Sequence, residues 1–223
     1  MSLTPIDFLS VVRSCIPKEA EIVQLQQQGN PAAILYADVD GDGSPEITAM
    51  YRFLDNQYLF SLKDYSGNWF PIASAATGGI REVTDFVAAP VSRREGWDVI
   101  VGWLQEGTRS ELDIIQWTAS GFQRMIPPGT TYNHLEIEDM PTRDGRDGLC
   151  ELALWVQEHD KAYQVQTYRW DPYRLVPTQD VHPYYFQRVT RYYEDLVRDH
   201  PEHQAYRSLL EDAQKKTGGD GSV

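Results

Sequence analysis

Three apolar runs recur along this chain at a nearly constant interval, and that interval restricts the architecture more than any local signal does. Glu46-Ile47, Asp98-Val99 and Glu151-Leu152 open the runs EITAMY, DVIVGW and ELALWV, and successive runs begin 52 and 53 residues apart. Tyr65, Trp117 and Trp170 keep the same 52- and 53-residue spacing, each followed five positions later by Phe70, Phe122 or Leu175. A third, looser marker is Asp38, Asp85 and Asp139, each closing a short run (AILYAD, IREVTD, HLEIED). A fixed period of this length denotes a repeat architecture.

Within each repeat the pattern is that of short strands: apolar runs of a few residues broken by turn clusters such as LDNQ, YSGN, EGT and TASG. About four strands fit each period, one before the loop that precedes the apolar run, one on the run, a hairpin partner and a closing strand such as WFPIAS. That is the period of a propeller blade. We expect a mainly β protein: a small, three-bladed, β-propeller-like repeat over residues 32–178 (32–78, 79–130 and 131–178), preceded by an N-terminal helix and lead-in over 1–31. Propellers usually close with four to eight blades, so an open array, a ring completed by two chains and an irregular β-sandwich stand as alternatives to a small closed ring.

Helical periodicity marks both ends. In TPIDFLSVVRSCIP, Thr4 reads as an N-cap with Pro5 at the first helical position, and Phe8, Val12 and Cys15 share a face. Residues 179–223 read as a helical hairpin with a disordered tail: Tyr185, Val189, Tyr192 and Leu196 form one stripe. Pro201 begins the second helix, with Tyr206, Leu209, Leu210 and Ala213 inward and Gly218 as the stop. The hairpin resembles half of a tetratricopeptide repeat, and such a unit cannot bury its own face, so it should dock on the β repeats as a cap.

The stretch ADVDGDGSPEIT carries the strongest chemical signal. A D-x-D-x-D-G loop offers calcium hard oxygens from alternate residues, while glycine allows a sharp turn. Asp38, Asp40 and Asp42 would be ligands with the Ser44 carbonyl and the Glu46 carboxylate. The loop departs from an EF-hand in two ways, since its twelfth position is Ala49 instead of a bidentate Glu and the flanks read as strands. A tight polar turn satisfied by its own backbone and by water is the plain alternative.

This DVDGDGSPEI followed by a strand resembles the blade loop of integrin-type FG-GAP or VCBS repeat proteins. The resemblance implies one structural calcium ion bound by Asp38, Asp40, Asp42, Ser44 and Glu46 between two strands of a blade. The third repeat, DGRDGLCEL, keeps Asp147, Gly148 and Glu151 but inserts residues after Asp139; the second, APVSRREGWD, has lost the ligands. The whole chain, including DVHPYYFQRVTRYYEDL, also resembles secreted lipoproteins of Gram-positive bacteria, which implies an extracytoplasmic place, with lipid anchoring through a removed N-terminal signal.

Composition narrows the partners. A formal net charge of -13 is unsuited to phosphate backbones, so no nucleic-acid partner is expected. No apolar run reaches the length of a membrane-spanning helix, so no membrane insertion by this chain is expected. MSL at the start reads as a leader added ahead of the native sequence. Cys15 and Cys150 have no metal or redox spacing and read as buried thiols or, less simply, as one long-range disulfide.

Enzyme motifs are absent: the chain has no G-x-S-x-G, P-loop, H-E-x-x-H or dinucleotide fingerprint. His134, His159, His182, His200 and His203 are scattered, and only the last two have helical spacing, where exposure beside Pro201 is expected. Trp69, Trp103, Trp117, Trp155 and Trp170 fall at repeat positions that packing explains, whereas Trp97, beside Arg93 and Arg94, stands in a polar loop suited to a sugar or a protein. The expectation is therefore a non-enzymatic, calcium-stabilised binding or scaffold module for a protein or carbohydrate ligand at the cell envelope. The alternative is a cell-wall or polysaccharide hydrolase using acidic residues at the ring mouth, with Glu136, Glu138 and Asp139 as its candidate carboxylates.

Overall fold

The computed structural model describes residues 6–218. Its β-strands form three antiparallel sheets, with helices at the N-terminal and C-terminal ends. The chain divides into two compact units, Met1–Thr130 and Thr131–Val223.

In the first unit, α1 (Phe8–Cys15) precedes β1 (Glu21–Ile22), β2 (Ile34–Ala37), β3 (Glu46–Phe53), β4 (Asn56–Tyr65) and β5 (Asn68–Ala76). β2 to β5 form a meander, and β1 lies beside β2 along the same edge of β3, pairing Glu21 with Arg52. This strand lies in the segment expected to be lead-in. A second meander follows in β6 (Val83–Ala89), β7 (Asp98–Glu106), β8 (Arg109–Thr118) and β9 (Gly121–Arg124).

Alternation along the strands sends opposite faces to different partners. Met50 and Leu59 of the first sheet join Val99, Val101, Trp103 and Ile115 of the second in one core. Ile47, Ala49, Phe60 and Leu62, on the other face, pack under Val12, Phe8 and Cys15 of α1. A ring with a neighbouring sheet on both sides of the first would need the face that α1 covers. The helix itself begins later than expected: Asp7 caps it by accepting from the Ser10 N–H at 3.2 Å, and Thr4 and Pro5 lie outside the described residues.

The second unit has a two-residue strand β10 (Thr131–Tyr132), then a third meander of β11 (His134–Glu138), β12 (Glu151–His159), β13 (Ala162–Asp171) and β14 (Arg174–Pro177). Helices α2 (His182–Asp199) and α3 (Gln204–Thr217) pack together, and Tyr185, Phe186, Val189 and Tyr193 share a core with Ala153, Trp155 and Val165 of the sheet. The hairpin docks as a helical cap on its own sheet. Of the neighbours Tyr192 and Tyr193 it is Tyr193, outside the expected stripe, that is fully buried, while the Tyr192 ring meets Trp155 edge-on at 5.3 Å. The α3 start is set by His203, with Pro201 in the preceding turn, and Gly218 ends the helix. His200 and His203 are half-buried against Tyr206, so neither is the exposed histidine expected.

The aromatic markers acquire a plain structural meaning: Trp117 pairs with Phe122 across β8 and β9, and Trp170 with Leu175 across β13 and β14. Asp85 does not fit its expected place. It lies inside β6, and the position after β6 that corresponds to Asp38 is Pro90. Cys15 and Cys150 are free and half-buried, and burial pushes the Cys150 thiol up to about 11.

Candidate metal centre

The acidic loop joins β2 to β3 and is wired largely to itself. Asp38 accepts from the N–H groups of Gly41 and Gly43, each at 2.8 Å, one on each carboxylate oxygen. Asp40 accepts from Asp42 N–H at 3.1 Å and Asp42 from Ser44 N–H at 3.0 Å. Short carboxylates bonding backbone two or more residues on are how such turns hold without regular structure. Gly41 has φ +82°, and a Cβ there would stand 2.6 Å from the Glu95 carbonyl oxygen, so the second-sheet loop presses directly on the first.

Glu46 closes the loop from its far end. Its side chain is fully buried, and Oε2 accepts from Val39 N–H at 3.0 Å and Asp40 N–H at 3.3 Å. Burial raises its pKa, against the opposing pull of Lys63.

Lys63 is the residue that the loop motif does not announce. From β4 its Nζ reaches Asp40 Oδ2 at 2.5 Å, Asp42 Oδ2 at 2.7 Å and Glu46 Oε1 at 2.9 Å. The last contact is one of charge: Glu46 Oε1 is shielded from solvent and accepts no well-directed hydrogen bond. Burial acts to lower the Lys63 pKa, but Asp40, Asp42 and Glu46 outweigh it and hold the ammonium protonated far above the usual lysine range. The hydrogen bond from Lys63 lowers Asp42 in turn.

The donor set suits a hard cation. One carboxylate oxygen from each of Asp38, Asp40 and Asp42 lies within 4.8 Å of the others, and Glu46 Oε1 has acceptor capacity to spare. An ion drawing on Asp40, Asp42 and Glu46 together would have to share or take the place where the Lys63 ammonium sits.

The same device appears in all three sheets. Cross-strand register places Ile47 opposite Leu62, Val99 opposite Ile115 and Leu152 opposite Tyr168. One step outward, Glu46 faces Lys63, Asp98 faces Gln116 and Glu151 faces Arg169. Asp98 accepts from Ser92 N–H at 2.6 Å, with Gln116 Nε2 at 3.4 Å. Glu151 accepts from Met140 N–H at 2.9 Å, with Arg169 Nη2 at 3.4 Å. Burial raises the pKa of both carboxyls, as it does for Glu46. The third loop also repeats two turns of the first: Gly148 N–H donates to Asp139 at 3.2 Å, and Leu149 N–H to Asp147 at 2.9 Å.

The expected ligand-binding residues separate. Trp97 keeps 42% of its surface exposed, while its backbone N–H donates to the Asp38 carbonyl at 2.8 Å. Arg93 turns into the first loop and donates to the Val39 carbonyl at 2.7 Å, so its guanidinium supports the acidic loop; Arg94 is exposed. Among the expected carboxylates, Glu136 bonds Arg188 and His134, and Glu138 bonds Tyr184, Arg146 and Arg188. Burial acts to raise both, yet these partners prevail and hold both pKa values down, the opposite of what a general acid needs.

One cavity of about 370 Å³ opens between the first two sheets, with Leu59, Ala75, Trp103, Ile115 and Phe122 on its walls. Asp113, 3% exposed, lines it and is held by Arg124 through Nη2 at 2.6 Å and by Trp103 Nε1 at 3.3 Å. No motif pointed to this pair. No family model matches the chain, and no curated protein matches it.

Proposed function

We propose that this chain is a non-enzymatic binding or scaffold module that works outside the cytoplasm, with its three sheets as propeller-type blades and its first loop as a structural cation site. The observation that carries the reading is the convergence of Asp40, Asp42 and Glu46 on one point, with Asp38 alongside. Calcium is the ion this set of oxygens takes, held by Asp38, Asp40, Asp42, Glu46 and the Ser44 carbonyl, and its part is to fix the loop. Lipid anchoring at the cell envelope remains tied to the resemblance described above. No helix among the described residues is long and apolar enough to cross a membrane.

The ligand belongs to the protein or carbohydrate class, and Trp97 with Arg94 is the surface that suits it. An exposed indole on a loop braced by Arg93 offers a rigid, amphipathic contact at small entropic cost. The thermal midpoint tests the ion site, measured for the wild type and Asp40→Ala with chelator and then with about 10 mM calcium. The wild type should gain about 3 °C or more and the variant nothing. An equal response in both, or none in either, removes calcium from the account.

A further inference from the structure

Resting on the cation-site reading above, we propose that the Lys63 ammonium is the loop's resident counter-ion and that calcium binds only in exchange for it. Nζ touches oxygens of three expected ligands at 2.5, 2.7 and 2.9 Å. Calcium needs those oxygens at about 2.3 to 2.6 Å. An ammonium and a calcium ion therefore cannot share the point where they meet, and the lysine must withdraw as the metal enters.

The lysine belongs to a pattern. Lys63, Gln116 and Arg169 stand 53 residues apart, each on the strand opposite the buried acid of its own sheet. The charge of the donor follows the acids around it. Asp98, with hydroxyl and amide partners, faces neutral Gln116. Glu151 faces Arg169, which also holds Asp180 at 2.6 Å. Lys63 faces the densest set and neutralises only part of it: Asp38 spends its hydrogen bonds on Gly41 and Gly43, and Glu46 Oε1 lacks a directed donor. The surplus of carboxylate charge is what a divalent ion could neutralise and one ammonium cannot.

It follows that Lys63 sets the loop's affinity and makes the fold independent of calcium when the ion is scarce. The test is calorimetric titration of the intact chain with calcium chloride, for the wild type, Lys63→Gln and Lys63→Arg. Glutamine already fills the equivalent place in the second sheet, so Lys63→Gln should fold. Exchange predicts that Lys63→Gln binds calcium at least tenfold more tightly than the wild type and that Lys63→Arg binds no more tightly. If Lys63→Gln unfolds without the metal, refolding on calcium addition, absent in Lys63→Arg, carries the same prediction. Equal affinity in the wild type and Lys63→Gln overturns the exchange and leaves the ion site standing. Failure of all three to bind overturns the ion site and the exchange with it.

Discussion

Glu46 Oε1 and Lys63 Nζ stand 2.9 Å apart at the open end of the β3–β4 hairpin, beside the acidic loop. The other oxygen of Glu46 holds the backbone of Val39 and Asp40. One side chain thus ties a loop to a strand and a strand to its neighbour. Asp98 with Gln116 and Glu151 with Arg169 do the same work in the other sheets. The acidic residue that opens each repeat is therefore a loop staple first, and in the first sheet a candidate ligand as well.

Removing a staple should cost more than its surface contacts suggest. Glu46→Ala leaves the N–H groups of buried Val39 and half-buried Asp40 without their acceptor and Lys63 without one of its carboxylates. An orphaned buried donor costs about 1 to 3 kcal/mol. Urea unfolding should show a loss of about 2 to 4 kcal/mol with little change in slope, and Asp98→Ala should lose a comparable amount. A loss below about 0.5 kcal/mol in either would mean that the loops are held elsewhere.

Two glycines of the acidic loop should respond differently to alanine. Gly41 and Gly43 have φ of +82° and +88°, so both substitutions carry the left-handed penalty of about 1 to 2 kcal/mol. Only at Gly41 does the new methyl also meet backbone, 2.6 Å from the Glu95 oxygen, whereas at Gly43 nothing lies within 4 Å. Gly41→Ala should therefore be the more destabilising, by at least about 1 kcal/mol in denaturant unfolding. Equal losses would show that the two loops do not press together as described.

Burial makes Asp113 depend on Arg124. Arg124→Met leaves a carboxylate that is 3% exposed with Trp103 Nε1 as its remaining side-chain partner, and stability should fall by about 3 kcal/mol. Adding Asp113→Leu should recover most of that loss, since an apolar pair often matches a buried ion pair. A double variant as unstable as Arg124→Met alone would place the cause outside the pair. A milder acidity follows from the same site: burial raises the Asp113 pKa despite Arg124.

Loss of stability in alkali should be steep in the second unit. Burial raises Tyr185 and Tyr193 far above the ordinary tyrosine range and Tyr192 to about 12. The folded chain therefore keeps these protons where the unfolded chain, with tyrosines near about 10, releases them. Their contribution is intact below about pH 10 and is lost as pH rises above it. Tyrosinate absorbance followed against pH should show these groups ionising together with the loss of near-ultraviolet dichroism. Smooth ionisation in a folded protein would contradict it.

The three meanders were legible because strand alternation and turn residues act locally and the repeat triples each signal. Trp117 with Phe122 and Trp170 with Leu175 are visible in spacing because hairpin partners are close in sequence. Lys63 was less visible, since its partners lie 17 to 23 residues away across a hairpin and lysine on a strand reads as a solvated edge. Yet the 53-residue step to Gln116 and Arg169 was already in the chain, and it links the donor to the acid without any motif. Asp113 and Arg124 carried no such sign: they are diagonal neighbours on β8 and β9, and the positions one repeat away (Phe60 and Gln166, Pro71 and Pro177) hold no charged counterpart. The blade reading was expected from the repeat spacing and the strand count, and neither says which face of the first sheet α1 covers.

The most direct measurement of the central relationship is a double-mutant cycle between Glu46 and Lys63, using Glu46→Gln, Lys63→Gln and the pair, with stability read from urea unfolding in the presence of chelator. A coupling of about 1 to 3 kcal/mol is expected, because each single change leaves the other charge shielded and short of a partner. Additive losses, with coupling below about 0.3 kcal/mol, would contradict it and reduce Lys63 to a bystander at the loop's edge.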